Sequence, residues 1–567
     1  MLNPMASVNV NKQFAVKNRR KIRSKPISTT RGYLTDIHHH WNMAGAQDVV
    51  ERSMSINAKF LPRLKAAVEQ NALLRIGWTG SGEEVPKNGE VGLCPGIPEG
   101  ARIKALGKLG SWTSPFGAGG RFSVEGDVGS FFGAYNSGST VTSTGFIGRC
   151  GAFMMQDGML MGSDGADTDL GMFMSDGTIY VQGQVGARLG NGMNGGLIII
   201  QGDVDGDVGI GMKGGRIIIE GRCPTPPHGI RLRPLKAKEL KEINGVLSEY
   251  DSVLSDDALC LEPSDEIGLE VQSNHVSSGD LSTIGLVPMD EQPLIENHPV
   301  DTVAFIPGTD DEAPAILLPI PILPRIPDGS LLRTEDNNSG RLTRIQSQPF
   351  LVNQNPRPID VVQLNLQSLC DLRTTAPTVA GVCIDMDSLP SMNPEEFDGL
   401  LVAIRTLMTT QSPIMSIQGI TRIQSHHQSS AYHEIQGAIS RIEDGSGTPE
   451  ASTLPIMGRS KKNELDKTPV ITALEFGFTS DAHDVIVARC AGADFVVTEP
   501  PMLEIEDIEF WLQGLTIDLQ NTLRNLGLDS VDILQRSHLR ALDHDTASVS
   551  GLRMSGYERP LPHWFAR

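Results

Sequence analysis

Histidines and cysteines are the residues of this sequence that could hold a metal ion. His426, His427 and His433 form an HHx5H cluster, but on a helix the first and last would lie about two turns apart. This spacing favours solvated or core histidines over a metal site. The closest two of the seven cysteines are 13 residues apart, which excludes CxxC pairs and the usual iron–sulfur and zinc ligand sets.

Glycine-rich loops are the second chemical signal. One loop lies in the stretch RIEDGSGTPEAS, from Arg441 to Ser452, and a shorter one includes Phe476-Gly477. Glycines let a backbone approach a ligand closely, and its N–H groups can then bind a phosphate. The loops therefore favour cofactor binding. No Ser/His/Asp arrangement, Walker loop or dinucleotide fingerprint occurs in the sequence.

The second half of the chain supplies the elements that would position these loops. After Ile359, strand-like and helical runs alternate, which is typical of βα units in a barrel or part of one. We predict strands in GVCIDMD, SPIMSIQGI, PVITALEF and ADFVVTE, and helices in PEEFDGLLVAIRTLMTT and SDAHDVIVARCAG. IDVVQLNLQSLCDLR and HHQSSAYHEIQGAISRI are also predicted as helices, and IEDIEFWLQGLTIDLQNTLRNLG as a helix pair.

A glycine repeat dominates residues 107–221. Successive glycines follow one another at spacings of 18, 20, 19, 19 and 19, at Gly120, Gly138, Gly158, Gly177, Gly196 and Gly215. Short β-branched runs such as LIIIQG follow most of them. Such strands cannot bury an apolar face alone, but they can stack in parallel around a shared interior. We predict about six coils with positive φ at the turn glycines.

The repeat also predicts which side chains share a face. Ile179, Ile198 and Ile217 should lie together, and an interior stack should be formed by Met155, Met174, Met193 and Met212. Outside the repeat, residues 44–75 are predicted to be helical with a break or kink at Pro62. Residues 223–356 are predicted to be an acidic, proline-rich connector with a short helix at 237–250.

Composition narrows the class of protein. The net charge of −20 argues against general nucleic-acid binding, which needs a basic surface. No stretch approaches the ~18 unbroken apolar residues of a membrane span, and the first residues lack a secretory pattern. We therefore expect a soluble cytoplasmic protein without nucleic-acid or membrane partners.

The glycine repeat, with turns Gly190-x-Gly192 and Gly209-x-Gly211, resembles the GXGXG domain of glutamate synthase large subunits. This domain also occurs in the C subunit of formylmethanofuran dehydrogenase and in an N-methylglutamate synthase subunit. Residues 356–555 resemble the flavin domain of glutamate synthase in the same motif order. The similar stretches are RIEDGSGTPEAS, EFGFTSDAHDVIVARCAGADFVV and the closing helices from WLQGL to LRAL.

The resemblance implies a role in reductive transfer of the glutamine amide nitrogen to 2-oxoglutarate, with FMN as cofactor. The flavin-pocket residues that it implies are Gly445, Gly447, Thr448, Gly477, Asp484 and Gly492. The resemblance identifies neither catalytic residues nor metal ligands. The implied partners are separate amidotransferase and redox subunits, because this chain shows neither the amidotransferase domain nor the cysteines of an iron–sulfur cluster.

Departures from the family pattern argue against FMN binding. No lysine occurs between Ala380 and Asp387, where the family's barrel strand carries a flavin contact. After ADFVV the chain continues Thr498-Glu499-Pro500-Pro501, where the prolines remove two N–H donors and Glu499 repels an anion. The GXGXG domain also precedes the flavin domain, whereas in bacterial large subunits it follows. A non-catalytic scaffold and a formylmethanofuran dehydrogenase C-like protein therefore stay open as alternatives.

The expected fold is multidomain, β plus α/β: a right-handed parallel β-helix followed by a partial or degenerate (β/α) barrel. The expected domains are an N-terminal arm and helical segment (1–100), the GXGXG β-helix (101–228), the acidic connector (229–355) and the glutamate synthase-like barrel domain (356–567).

Overall fold

The structure, a computed structural model, contains a ten-stranded sheet and a closed eight-stranded barrel. It describes residues 43–77, 89–248, 252–264, 281, 283–287, 304–306, 316–318, 320–326, 347–408, 412–419, 423–441, 454, 470–476, 479–501 and 505–557. No helix within these ranges combines the length and apolar character that crossing a membrane requires.

The α-helices lie at the start of the described chain, over the large sheet and in the barrel half. They are α1 (Met43–Glu69), α2 (Ala237–Leu247), α3 (Leu372–Thr375), α4 (Pro394–Leu407), α5 (Ile423–Tyr432), α6 (Ala482–Ala491), α7 (Ile505–Leu526) and α8 (His544–Ser550).

The large sheet is parallel over its first eight strands, which pair in chain order. Two further strands then join β8 in the order β10, β9, both antiparallel to their neighbours. The strands are β1 (Leu74–Ile76), β2 (Arg102–Leu106), β3 (Arg121–Glu125), β4 (Ser137–Ser143), β5 (Asp157–Gly162), β6 (Thr178–Val181), β7 (Asn194–Ile200), β8 (Gly214–Ile219), β9 (Ile230–Pro234) and β10 (Leu259–Pro263).

The register of these strands follows the glycine period. Ile179 pairs with Ile198 and Ile198 with Ile217, and all three are buried, so the predicted shared face is confirmed. The four periodic methionines lie in the same core cluster, as predicted. A second ladder of parallel bridges runs in step through Leu109, Val128, Ile147, Ala166, Val185 and Val204. Each repeat therefore contributes to two parallel ladders.

The turns of each repeat use left-handed backbone conformations. The glycines predicted to have positive φ all do, with values from 71° at Gly120 to 156° at Gly138. Bulky residues occupy other left-handed positions at the same 19-residue step, as in the column Trp112, Phe131, Cys150, Asp169, Arg188 and Asp207, with φ between 56° and 61°. Such conformations are costly for aromatic residues and need support from surrounding packing.

The sheet begins before the predicted repeat. β1 pairs with β2 at Leu74↔Ile103, and backbone hydrogen bonds from Gly89 to Lys108 and from Gly92 to Ser111 keep the 19-residue step. The expected boundary at residue 101 therefore differs from the start of the sheet. The sequence did not indicate this first repeat because it lacks the paired turn glycines of the later ones.

Helix α1 covers this end of the sheet. Its apolar face contributes Ile56, Phe60 and Leu64 to the core that also contains Leu74 and Ile76. The prediction of a break at Pro62 is wrong, because α1 continues through this residue to Glu69. Pro62 is exposed, and burial of the opposite face stabilises the helix despite the hydrogen bond that a proline removes.

The predicted connector contains ordered elements. The short helix is confirmed as α2, which packs over the sheet with β9 and β10. Two short antiparallel pairs lie further along: β11 (Ile284–Leu286) pairs with β22 (Leu539–Ala541), and β12 (Ala304–Ile306) with β13 (Ile316–Leu318). The first two barrel strands also fall in this segment, so the barrel begins before the expected boundary at residue 356.

The barrel is closed, so of the two expected forms, partial or degenerate, the partial barrel is wrong. Its first and last strands pair in parallel through Ile322↔Val496 and Leu323↔Val497. The strands are β14 (Ile322–Ile326), β15 (Leu351–Val352), β16 (Val361–Leu364), β17 (Gly381–Asp385), β18 (Ile414–Gly419), β19 (Gly437–Arg441), β20 (Ile471–Glu475) and β21 (Phe495–Thr498).

Three helix predictions in the barrel half need correction. The run IDVVQL forms strand β16, and GAISR forms β19 after the shorter helix α5. The predicted helix pair at the end is one continuous helix, α7. Both misread strands are apolar runs buried on two faces, which periodicity does not distinguish from buried helix.

Sheet and barrel share an aromatic junction. Trp112, Phe131 and Tyr135 belong to one buried cluster with Phe397 and Leu400 of α4. The rings of Trp112 and Phe131 stack with centroids 4.6 Å apart. At the rim, Arg149 Nε donates to Glu396 Oε1 at 2.7 Å, and Glu396 also closes the capping box of α4. The bulky left-handed turns of the early repeats thus face the barrel.

Replacing Gly196 with valine should destabilise the sheet. Gly196 has φ 84°, and an added Cβ would meet Met174 Cε at 2.6 Å and the Gly177 carbonyl oxygen at 2.9 Å. We expect a loss of unfolding free energy above the ~1 kcal/mol of a change at a compatible site. Urea unfolding of the full chain measures it. Gly206→Val is the matched control, because that exposed glycine has open space around it; equal losses would contradict the strain argument.

Candidate functional site at the mouth of the barrel

The barrel interior changes from apolar to charged towards the carboxyl ends of the strands. Inward side chains such as Leu323, Val361, Cys383, Ile439 and Ala473 form a buried apolar cluster. Side chains alternate between the two faces of a strand, so the residue two positions later also points inward. These later positions form a polar layer at the mouth: Arg325, Gln363, Asp385, Arg441 and Glu475.

Glu475 lies at the centre of this layer. Its Oε1 accepts a hydrogen bond from Arg325 Nη1 at 2.6 Å, and its Oε2 accepts one from Arg441 Nε at 2.8 Å. The Glu475 side chain is only 6% exposed, and the two arginines keep under a quarter of their side-chain surface exposed. One carboxylate therefore joins strands β14, β19 and β20 across the mouth.

Asp385 continues the network on the other side of Arg441. Arg441 Nη2 lies 3.7 Å from Asp385 Oδ2, which also accepts a hydrogen bond from Gln363 Nε2 at 2.7 Å. Asp387 Oδ2 lies 3.6 Å from Arg441 Nη1 and accepts the Gly419 amide at 2.5 Å. The layer thus extends over the five neighbouring strands β16 to β20 and, beyond β21, to β14.

The mouth carries more negative than positive charge. Asp385, Asp387 and Glu475 face Arg325 and Arg441, and Glu499 lies 3.9 Å from Arg325. Burial lowers the pKa of Arg441, but Glu475 and Asp385 raise it by more, so this pKa lies above its ordinary value. Arg441 therefore stays charged at all physiological pH values.

Two further features of this layer bear on its chemistry. Burial raises the pKa of Cys383, one interior position below Asp385, well above its ordinary value. A neutral, buried thiol is a poor nucleophile. Gln363 Oε1 and Arg441 Nη2 are buried without a hydrogen bond among the described residues, so one acceptor and one donor of the network stay unsatisfied.

The mouth of a parallel barrel often binds phosphate through the loops after its seventh and eighth strands. Here these strands are β20 and β21, and the first is followed by α6. Asp481 and Asp484 form a reciprocal capping box at the start of α6: Asp484 N donates to Asp481 Oδ1 at 2.9 Å, and Asp481 N to Asp484 Oδ2 at 3.1 Å. Carboxylates of the chain itself therefore bind amides that a phosphate would need.

His483 lies beside this capping box. The ligand atoms of Asp481, His483 and Asp484 all fall within 4.8 Å of one another. Both carboxylates already accept backbone N–H groups, and the positive end of a helix dipole disfavours a cation. The capping role accounts for the two carboxylates.

The residues implied by the family resemblance fall into two sets. Gly445, Gly447, Thr448 and Gly477 lie outside the described residues. Asp484 lies in the first turn of α6 at the barrel mouth, whereas Gly492 ends the same helix with φ 112° and leads into β21 at the amino ends of the strands. The helix separates them by eight residues, or about 12 Å at ~1.5 Å per residue. Asp484 and Gly492 are therefore not brought together.

The histidine cluster is part of the core, one of the two alternatives indicated by its spacing. His426 lies behind the barrel wall between Ser416 Oγ, 2.9 Å from Nε2, and Ser440 Oγ, 3.3 Å from Nδ1. Burial lowers the pKa of His426 to about 3. His433 Nδ1 lies 2.6 Å from Asp398 Oδ1, and His427 is also buried.

Sequence reasoning missed the charged layer at the mouth. A usable signal was present: ILPRI, VVQL, GVCID, GAISR and ITALE are apolar runs that each carry a polar residue at or near the end. In consecutive strands of one parallel barrel, such ends meet at one edge.

No protein-family model matches the sequence, and no curated protein matches it. Several solved structures of flavin enzymes are similar to part of the chain. A mandelate oxidase variant with a monooxide FMN adduct is 14% identical, with 45% of this chain and 87% of that chain covered and a TM-score of 0.33. The flavin-binding domain of baker's yeast flavocytochrome b2 is 14% identical, with 50% and 84% covered and a TM-score of 0.32.

Proposed function

We propose that this chain is a glutamate synthase-related subunit whose barrel serves as a non-catalytic scaffold in a multi-chain assembly. The observation that carries the proposal is the ion-pair layer centred on Glu475, which joins Arg325 and Arg441 across the mouth. The glutamate synthase relationship itself rests on the motif resemblance. The geometry of the site favours a scaffold over an active flavin enzyme.

The ion-pair layer occupies the place where a barrel enzyme binds its substrate and cofactor. A flavin ring over the strand ends would have to displace or separate these side chains. Removing one partner of a buried ion pair costs about 3–5 kcal/mol, because the other charge is left without compensation. A ligand that disrupts the layer must therefore offset a cost of this size before it gains any affinity.

The residues around the phosphate position add to this cost. Asp481 and Asp484 bind the first amides of α6, and Glu499 with Pro500 follows β21. Lost donors and an added carboxylate should cost several kcal/mol, against a total of about 8 kcal/mol for a micromolar ligand. The described residues at this position therefore do not fit a flavin phosphate.

For the large sheet we propose the right-handed parallel β-helix of the GXGXG type. The support is the 19-residue step, the two parallel ladders and the left-handed turns at fixed positions. In this proposal the β-helix has a structural role, and the aromatic junction holds it against the barrel as one unit.

The proposed partners are a separate amidotransferase subunit and a redox subunit, which would supply the reductive transfer of the glutamine amide nitrogen to 2-oxoglutarate. A cytoplasmic location is proposed on the same resemblance. Co-purification with a molybdenum or tungsten enzyme instead would favour the formylmethanofuran dehydrogenase C-like alternative.

Purified full-length protein is expected to lack stoichiometric flavin. The measurement is the visible absorbance of oxidised flavin in the purified protein, followed by titration with FMN while its fluorescence is recorded. We expect a colourless protein and no saturable quenching at micromolar FMN, because the mouth is closed by ion pairs and its helix amides are bound.

Stoichiometric FMN would refute the scaffold proposal and favour an active oxidoreductase. Gly445, Gly447 and Gly477 would then be the first positions to substitute. Glu499→Gln is a useful companion variant, since it removes an exposed carboxylate next to Arg325 without touching the central ion pairs. FMN binding gained by this variant alone would show that charge at the phosphate position, and not the ion-pair layer, limits binding.

A further inference from the structure

The outward face of the large sheet has a covered half and an open half. Over β5–β8, outward residues such as Tyr180, Ile199 and Ile218 pack under Ile243 and Leu247 of α2. Over β2–β4 most outward residues are polar or basic and remain exposed or half-exposed: Arg102, Lys104, Arg121, Ser123, Thr140 and Thr142. We call these six residues the basic face. Leu106 and Glu125 are the outward residues at the ends of β2 and β3.

The basic face sets like charges against each other. Arg102 and Arg121 are direct cross-strand partners on adjacent parallel strands, and both are exposed. Arg75 and Lys104 form a second pair of this kind. Like charges directly opposite on neighbouring strands destabilise a sheet. Lys104 pairs with Glu125, but no carboxylate in the described ranges pairs with Arg102 or Arg121.

This concentration of cations is unusual for a chain with a net charge of −20. A cluster of basic side chains on the surface of an acidic protein creates a local positive potential, which attracts anionic groups of a partner. Hydroxyl groups of Ser123, Thr140 and Thr142 border the arginines and can donate to carboxylate oxygens.

The covered half of the sheet shows which kind of group pairs with an arginine of this face. Arg102, Arg121 and Arg216 lie in one outward row that crosses the sheet from β2 to β8. Cross-strand pairs define this row: Arg102 pairs with Arg121, and the row continues through Thr140, Met159, Thr178 and Leu197 to Arg216. Arg216 Nη1 lies 3.5 Å from Glu239 Oε1 of α2. In the part of this row that is covered, the arginine meets a carboxylate on the covering helix.

We propose that the basic face is a docking surface for an acidic polypeptide segment of a partner protein. Carboxylates of that segment would pair with Arg102 and Arg121, as Glu239 pairs with Arg216. Apolar anchors are not required, because the open half lacks the outward isoleucines and tyrosine that α2 covers. The proposal concerns a surface away from the barrel mouth and does not depend on whether the barrel binds flavin.

The test uses full-length protein and a fluorescein-labelled polyglutamate peptide as the probe, with binding measured by fluorescence anisotropy at low and then rising salt. The double variant Arg102→Glu/Arg121→Glu should weaken binding at least about tenfold. The matched control is Arg222→Glu/Lys236→Glu, which makes the same change in net charge at exposed positions near the other end of the sheet. It should leave affinity within about twofold.

Folding is checked with the single variant Arg121→Glu. This variant replaces a pair of like charges on neighbouring strands, Arg102 and Arg121, with a pair of opposite charges. The thermal midpoint of the variant should therefore equal or exceed that of the unchanged protein. Its binding of the peptide should be weaker. Three results would overturn the proposal: no binding of polyglutamate by the unchanged protein, equal weakening in the control pair, or tighter binding of single-stranded DNA than of the peptide at the same residues.

Discussion

Replacing Glu475 with glutamine is expected to lower the free energy of unfolding by about 3 kcal/mol. The substitution keeps the shape of the side chain but removes the charge that Arg325 and Arg441 share at 2.6 and 2.8 Å. Two guanidinium groups would then face each other with little water to compensate, since Glu475 is 6% exposed. Chemical denaturation of the full-length protein, followed by circular dichroism, measures the change.

Glu499→Gln is the matched control for this prediction. Glu499 also lies near Arg325, but at 3.9 Å and with half of its side chain exposed, so the loss should stay within about 1 kcal/mol. If Glu475→Gln left stability unchanged and instead abolished an activity of the assembled complex, the carboxylate would be a functional group and the scaffold proposal would fail.

Replacing Trp112 with alanine is expected to cost about 3–5 kcal/mol, the range for truncating a buried aromatic side chain. Trp112 is 1% exposed, stacks on Phe131 and contacts the backbone of α4 so closely that a Cβ at Gly399 would lie 3.0 Å from its ring. The cavity would lie in the junction between sheet and barrel. Differential scanning calorimetry should therefore show a lower midpoint and a separation into two transitions.

Two variants define how this result is interpreted. Phe146→Ala truncates an aromatic side chain of the same sheet that is 42% exposed, and its cost should be well below that of Trp112→Ala. Trp112→Phe keeps a ring in the stack and removes an indole N–H that has no partner among the described residues, so it should cost less than alanine. If Trp112→Ala showed a single transition at an unchanged midpoint, the aromatic junction would not be what couples the unfolding of the sheet to that of the barrel.

The repeat region could be predicted closely because its signals are local. Each turn carries its own glycine, as at Gly177 and Gly196, and each strand follows within a few residues. The pairing of Ile179, Ile198 and Ile217 then follows from the period alone. The aromatic left-handed turns were not predictable, because the backbone conformation recurs at one position of every repeat whatever the residue type, from Trp112 and Phe131 to Arg188.

The candidate site was predicted less well because its contacts are distant in sequence. Arg325 and Glu475 are separated by 150 residues, and Arg325 lies in a segment predicted to be a connector. Strand β16, which carries Gln363, was predicted as helix because both of its faces are buried. Without the strand order, the polar ends of these runs could not be assigned to one edge.

The two ends of the large sheet determine whether copies of the protein can add to one another. An exposed edge strand is a template for edge-to-edge aggregation, which natural proteins prevent with short, charged or proline-containing edges. At one end β1 is only three residues long and lies against α1. At the other, β9 runs antiparallel, contains Pro234, and holds Arg231 and Arg233 in ion pairs with Glu262. A repetitive sequence of this kind is therefore protected from growing into a fibre.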